Sequence, residues 1–228
     1  MWCVDLRSPV DVWQRAVDRL PDDERQRAGR LAFDHLRRQF VVRRSALRRL
    51  LGRYLDVDPL AIRFAYGPNG KPRLDGPLSE RHLHFNLSSS QNLAVIAVAH
   101  DRDLGVDVEW KREMSDADAI ARRYFSAAEN GALRQLAPAA RHDAFFQCWT
   151  QKEACVKATG EGLARPLNSF DVAIDPDHAV HVVDLDRRRA PDGWALRRLD
   201  VIPGFAGAVA AAGRGLETIG WTFAPFGG

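Results

Sequence analysis

FFQCWTQKEACVKATGEGL, residues Phe145–Leu163, has the periodicity of one helix, entered near Asp143 and stopped at Gly160. Glycine there suits the left-handed residue that follows a helix. At about 100° per residue two stripes separate. Phe145, Cys148, Trp149 and Val156 form an apolar face. Phe146, Thr150, Glu153 and Lys157 share an adjacent, partly polar one. Glu153 and Lys157 stand four apart, so a carboxylate and an ammonium lie side by side, which on periodicity alone also describes a surface ion pair. Lysine usage argues for more. The chain has 33 Lys+Arg, and only Lys71, Lys111, Lys152 and Lys157 are lysine. A position that keeps lysine in an arginine-rich chain suits a compact ammonium able to give up a proton.

Outward from this helix, the most informative strand is Leu104–Trp110, LGVDVEW, placed as a hairpin partner of the apolar strand Leu93–Ala99, LAVIAVA. In period two, Val106 and Val108 face one side and Asp107 and Glu109 the other. Two carboxylates on one face of a buried strand repel and lose hydration, so they call for a cation. Magnesium suits one or two carboxylates plus substrate phosphate. The alternative is an edge strand with a wet acidic face.

The remaining elements fall around these two. Met1–Leu6 reads as a strand, and Pro9 opens a helix to about Leu20. Asp22–Phe33 and Leu36–Tyr54 follow as helices, the second with Phe40, Leu47, Leu50 and Leu51 inward and Arg37, Arg38, Arg44, Arg48 and Arg49 mostly outside. That arginine face is either solvated or anion-binding. Ala61–Tyr66 is a strand leading into the turn cluster Gly67–Arg73, where Lys71 sits between Gly70 and Pro72 in a stiffened loop. His82–Leu87 is a strand ending in Ser88, Ser89 and Ser90, which either cap a turn or hold phosphate oxygens. Ser126 and Glu129 have capping-box spacing. Phe170–Ile174, Val180–Leu185, Trp194–Leu199, Phe205–Ala212 and Ile219–Phe223 read as strands. FAGAVAAAG echoes LAVIAVAH, a weak internal duplication with its boundary near Asp103.

At 228 residues, 46% hydrophobic and 28% charged, the chain is an ordinary globular one with ample core. A net charge of +3 is too balanced to imply nucleic acid. Arg25–Arg53 is locally basic, but no aromatic platform interleaves with it, which argues against RNA binding. Cys3, Cys148 and Cys155 form no CxxC pair and read as reduced residues of a cytoplasmic protein. Neither a signal peptide nor a membrane span is expected.

Gly105-Val-Asp-Val-Glu109 followed by Trp149-Thr-Gln-Lys-Glu-Ala154 and Lys157 resembles the paired signature of the 4′-phosphopantetheinyl transferases, of the two-half surfactin-synthetase-activating type. Gly70–Pro72, Phe85–Ser88 and Gly162–Phe170 add to the likeness. The resemblance implies an α+β fold of two similar halves related by pseudo-twofold symmetry, each with a small antiparallel sheet packed on helices. The halves are drawn at 1–103, for nucleotide and 3′-phosphate contacts, and 104–228, for metal and catalysis. It implies a monomer with coenzyme A in the cleft between the halves, and a holo-[acyl-carrier-protein] synthase reaction. In that reaction phosphopantetheine passes to a serine of an apo acyl or peptidyl carrier protein, leaving adenosine 3′,5′-bisphosphate. The same fold without turnover is the alternative. Carried over residue by residue, Asp107, Glu109 and Glu153 are the magnesium ligands. Glu153 is the base and Lys157 contacts the pyrophosphate. Lys71 and Pro72 meet the nucleotide, Ser88 and Ser89 the phosphates, and Arg38, with Arg37, the 3′-phosphate. One departure stands out: the family has Ser-His where this chain has Ser88-Ser89, a neutral donor in place of a charged one.

Overall fold

Two 22-residue helices, one in each half, carry the architecture of this computed structural model, which describes residues 1–7, 10–174, 181–183, 185 and 190–223. The first half runs β1 (Trp2–Asp5), α1 (Val10–Val17), α2 (Asp22–Gly29), α3 (Asp34–Leu55), β2 (Phe64–Tyr66), β3 (Pro72–Leu74), β4 (Leu83–Ser90) and β5 (Leu93–His100). The second runs β6 (Leu104–Trp110), α4 (Ala117–Tyr124), α5 (Ala127–Gln135), α6 (Pro138–Thr159), β7 (His181–Val183), β8 (Trp194–Leu199), β9 (Phe205–Ala212) and β10 (Trp221–Phe223). The sheets are ordered β10-β1-β5-β4 and β6-β9-β8-β7, with β2-β3 as a separate hairpin. β1 lies antiparallel to β5, which pairs with β4; β6 lies antiparallel to β9, which pairs with β8. The repeated order makes β5 and β9 counterparts, matching the sequence echo. The fold is α+β with small antiparallel sheets packed on helices.

Alternation along the strands builds the layers. Ala94 and Ile96 of β5 pack toward Val42, Leu47, Leu50 and Leu51 of α3. Leu93, Val95 and Ala97 face the other way, against Val106, Val108, Val209 and Ala211 of the second sheet. On the far side Ala206, Ala208 and Ala210 meet Phe145, Cys148 and Cys155 of α6. The order is therefore helix, sheet, sheet, helix. No described helix is long and apolar enough to cross a membrane.

Several expectations need correction. β6 is not a hairpin partner of β5, because it pairs with β9. Arg102 donates to the carbonyls of Ala212 and Gly215 at 2.6 and 2.7 Å, and Ala212 N–H donates to Asp103 O at 2.9 Å. These bonds pin the connection to the second sheet and carry the chain across. The halves also exchange a strand: β10 runs parallel to β1 in the first sheet. α6 begins at Pro138, not near Asp143, with proline in its first turn; Gly160 ends it at φ 72°. Ser88–Ser90 belong to β4 rather than to a turn. Phe170–Ile174 is no strand, because side chains take its backbone groups. Lys152 Nζ donates to Phe170 O at 2.6 Å, Val172 N–H to Glu129 Oε1 at 2.7 Å and Gln151 Nε2 to Ala173 O at 3.1 Å. Arg48 is buried, not outside: it pairs with Glu24 at 2.8 Å and donates to the carbonyls of Pro59 and Ile62. A buried charge needs that full set of partners. Pro9, Val180 and Asp184 lie outside the described residues.

Lysines 152 and 157 separate cleanly. Five residues apart on a helix is about 140°, so they face different ways. Lys152 is fully buried against Glu129 at 2.7 Å, and Glu129 also closes the capping box with Ser126. Lys157 turns to the seam between the halves.

Candidate active site

The seam is set by a glycine. A Cβ on Gly105 would stand 2.2 Å from Ala154 O and from Ala158 N, so α6 lies directly on β6 only because residue 105 has no side chain. That close approach places the next inward residue, Asp107, under Lys157. The ammonium is 2.6 Å from Asp107 Oδ1, and Ser88 Oγ donates to the same oxygen at 2.8 Å. Lys157 also lies 3.0 Å from Ser88 Oγ, closing a triangle of three residues from β4, β6 and α6. Ser90 Oγ donates to Glu109 Oε2 at 2.8 Å. Glu153 stands one turn before Lys157 on α6, half-buried.

Burial, opposed by Lys157, holds the Asp107 carboxyl above its usual range. Burial raises Glu109 and Glu153 as well, and their negative neighbours add to it: Asp107 on Glu109, Asp107 and Glu109 on Glu153. Three mutually repelling carboxylates facing one ammonium leave a deficit of positive charge. Asp107 Oδ2 is buried and has no hydrogen-bond partner among the described residues. An orphaned carboxylate oxygen beside two further carboxylates fits a hard divalent cation. Among the described residues no group of three or more His, Cys, Asp or Glu is arranged to hold an ion by itself.

The raised pKa values predict a cost. A carboxyl whose folded pKa is raised binds its proton more readily folded, so stability falls as pH climbs from the usual glutamate range, near 4.5, through the raised value. Without metal, Glu153→Gln should melt about 2 °C above the native protein at pH 7.5, the gap closing as pH falls toward 5. A lower melting point at pH 7.5 would mean that the charge is stabilising.

A cleft of about 600 Å³ opens beside this cluster. Lys71, Pro72, Glu153 and Lys157 line it, as does Asn86, and Tyr124, Trp149 and Leu167 add apolar surface beside Arg123 and Arg165. The β2–β3 tip closes one side: Lys71 Nζ donates to Ala158 O at 2.7 Å and Asn69 Nδ2 to Gly160 O at 3.0 Å. Arg37 and Arg38 are not among its lining residues. Arg37 is engaged by Asp34 at 3.0 Å and Leu31 O at 3.2 Å, and Arg38 is exposed. Arg43 instead hydrogen-bonds Ser89 Oγ. Its guanidinium is held below its usual range by burial, then by Arg44 and Arg27. The signal for Arg43 was the period of β4: Ser89 points opposite to Ser88, toward α3. His82 and His84 face Asp101 and Asp103 at 3.7 and 3.3 Å.

Comparison with known proteins gives the family: two family models match the chain. The family model described as 4′-phosphopantetheinyl transferase superfamily matches residues 103–210. The one described as 4′-phosphopantetheinyl transferase, N-terminal, matches residues 7–101. The chain belongs to the 4′-phosphopantetheinyl transferase superfamily. It is 38% identical over 223 residues to the 4′-phosphopantetheinyl transferase HetI of Nostoc sp., covering 98% of this chain and 91% of that one. A putative 4′-phosphopantetheinyl transferase of Synechocystis sp. is 36% identical over 74% of this chain and 67% of its own. The 4′-phosphopantetheinyl transferase Sfp of Bacillus subtilis is 32% identical over 77% and 78% respectively.

Proposed function

We propose that this transferase works at the seam between its halves, moving 4′-phosphopantetheine from coenzyme A to a serine of an apo acyl or peptidyl carrier protein in a holo-[acyl-carrier-protein] synthase reaction. The observation that carries the reading is the cluster of Asp107, Glu109, Glu153 and Lys157 beside a cleft lined by both charged and apolar side chains. Asp107, Glu109 and Glu153 would hold magnesium, which when bound would neutralise the pyrophosphate and stabilise the leaving group. Lys157 meets the pyrophosphate on the side away from Asp107. Glu153, its pKa raised by burial, takes the proton of the carrier serine directly or through water. The serine oxygen bonds to the pantetheine phosphorus, and the bond from that phosphorus to the bridging oxygen breaks. Adenosine 3′,5′-bisphosphate leaves beside the Lys157 ammonium. Tyr124, Trp149 and Leu167 take the pantetheine arm, while Lys71 and Pro72 frame the nucleotide. Both halves lie in one chain, so the working form is a monomer. Three free cysteines, with Cys155 pushed up to about 12 by burial, suit a cytoplasmic protein.

The assay is intact mass of a panel of apo carriers after incubation with coenzyme A and magnesium. One phosphopantetheine per carrier is expected, and none on a carrier whose serine is alanine. No mass gain across the panel, with a known transferase active in parallel, would leave only a coenzyme A-binding protein of the same fold.

Arg43 and Ser89 support a finer reading of the 3′-phosphate. Arg43 supplies the charge that a histidine at position 89 would bring, because it already reaches the Ser89 hydroxyl. Arg43→Ala should lower the preference for coenzyme A over dephospho-coenzyme A by about tenfold, a charge-assisted hydrogen bond to phosphate being worth roughly 1.5–3 kcal/mol. Arg38→Ala should change it less than twofold, roughly the effect of an exposed charge. The reverse ranking in kcat/KM ratios would return the role to Arg38.

A further inference from the structure

β4 and β6 belong to different sheets, yet side chains join them residue by residue. Asn86 Oδ1 accepts from Val106 N–H at 3.0 Å. Ser88 Oγ donates to Asp107 Oδ1 at 2.8 Å. Ser90 Oγ donates to Glu109 Oε2 at 2.8 Å and accepts from Trp110 N–H at 3.1 Å. From Asn86 on, every second residue of β4 thus meets β6, and both inward carboxylates of β6 receive a hydroxyl from the opposite half.

The two serines are not equivalent. Asp107 is held twice, by Lys157 and by Ser88, and has little freedom. Glu109 has one hydrogen-bond donor among the described residues, Ser90. A serine hydroxyl has one proton and is free to rotate, so a lone serine orients little. Here the Trp110 N–H engages its oxygen, and the proton is left to point at Glu109. The backbone of β6 therefore aims the hydroxyl that aims the side chain of β6.

We propose that Ser90 is a positioning residue that fixes the Glu109 carboxylate for divalent-metal binding, so that the metal site depends on the docking of the two halves. The inference rests on the assignment of Glu109 as a ligand. Ser90 does not touch metal or substrate; it acts by removing rotamers from a carboxylate that would otherwise turn to water. Partners that orient a ligating carboxylate typically set metal affinity by one to two orders of magnitude.

Manganese is the probe, its binding to the full-length purified protein read by the electron paramagnetic resonance of the free ion. Ser90→Ala should weaken Mn²⁺ binding by about tenfold. Ser90→Thr, which keeps the hydroxyl, should stay within roughly twofold of the native protein. In turnover, Ser90→Ala should raise the magnesium concentration for half-maximal rate while the KM for coenzyme A at saturating magnesium holds. Native-like Mn²⁺ affinity in Ser90→Ala would overturn the proposal. So would equal loss in Ser90→Ala and Ser90→Thr, which would point to packing rather than the hydroxyl. Failure of the native protein itself to bind Mn²⁺ would remove Glu109 as a ligand, a result distinct from either of those and fatal to the metal assignment as well.

Discussion

Asp107→Asn should lose at least about 10²-fold in kcat/KM, with no loss of thermal stability. One well-placed charge-stabilising group at a phosphoryl centre is commonly worth several kcal/mol in rate. Asp107 carries more of this than its neighbours for two structural reasons. It is the most buried of the three carboxylates, 2% exposed, so its charge is screened least. It is also the carboxylate paired with Lys157, at 2.6 Å, so a neutral amide weakens the hold on the ammonium as well. Stability should hold because burial already keeps the carboxyl above its usual range, and a neutral amide relieves its repulsion with Glu109 and Glu153. The amide keeps an acceptor for Ser88. Melting curves and steady-state rates measured together settle the point. A variant that melts well below the native protein would make Asp107 a structural residue. One with near-native turnover at limiting magnesium would remove it from the site.

Gly105→Ala should have the largest effect on stability, because the added methyl meets backbone on two sides. Side chains at the far end of a flexible chain move aside cheaply; the α6 backbone at Ala154 and Ala158 does not, and contacts of 2.2 Å force the helix off the strand. Overpacking a dense interior costs typically 1–3 kcal/mol, more when a backbone has to shift. About 3 kcal/mol lowers the melting point of a chain this size by roughly 6–12 °C. Activity should fall further than stability, since the same displacement separates Asp107 from Lys157. A native melting point in Gly105→Ala would show that α6 does not rest on β6 at this distance.

How much of this was legible in the sequence depended on whether the cause was local. The alternation of Gly105-Val-Asp-Val-Glu109 put both carboxylates on one face, and β6 has them there. The stop at Gly160 followed from its own chemistry. The partner of β6 did not, because Asp101–Asp103 has turn-forming residues, and a turn toward the neighbouring strand is the default reading. The crossing is fixed instead by Arg102 on carbonyls about 110 positions away. The cap reading of the serine run failed for a related reason. Three hydroxyls after a strand look like a cap, while their function comes from continuing the alternation, with Ser88 and Ser90 to one side and Ser89 to the other. Charge misled in the same way at Arg48, which lies on an arginine-rich helix face, and only the fold brings Glu24 to it. Phe170–Ile174 has strand composition, yet Gln151, Lys152 and Glu129 take its backbone groups before a neighbour strand could.

The most direct test of the seam as the transfer site is the broadening of the phosphorus resonances of bound coenzyme A by Mn²⁺. On the proposed assignment, a metal held by the carboxylates of β6 and α6 would lie against the pyrophosphate, so those two signals should broaden strongly and the 3′-phosphate signal much less. In Asp107→Asn the selective broadening should disappear. Equal broadening of all three phosphates, or unchanged selectivity in Asp107→Asn, would contradict a metal centre built on Asp107.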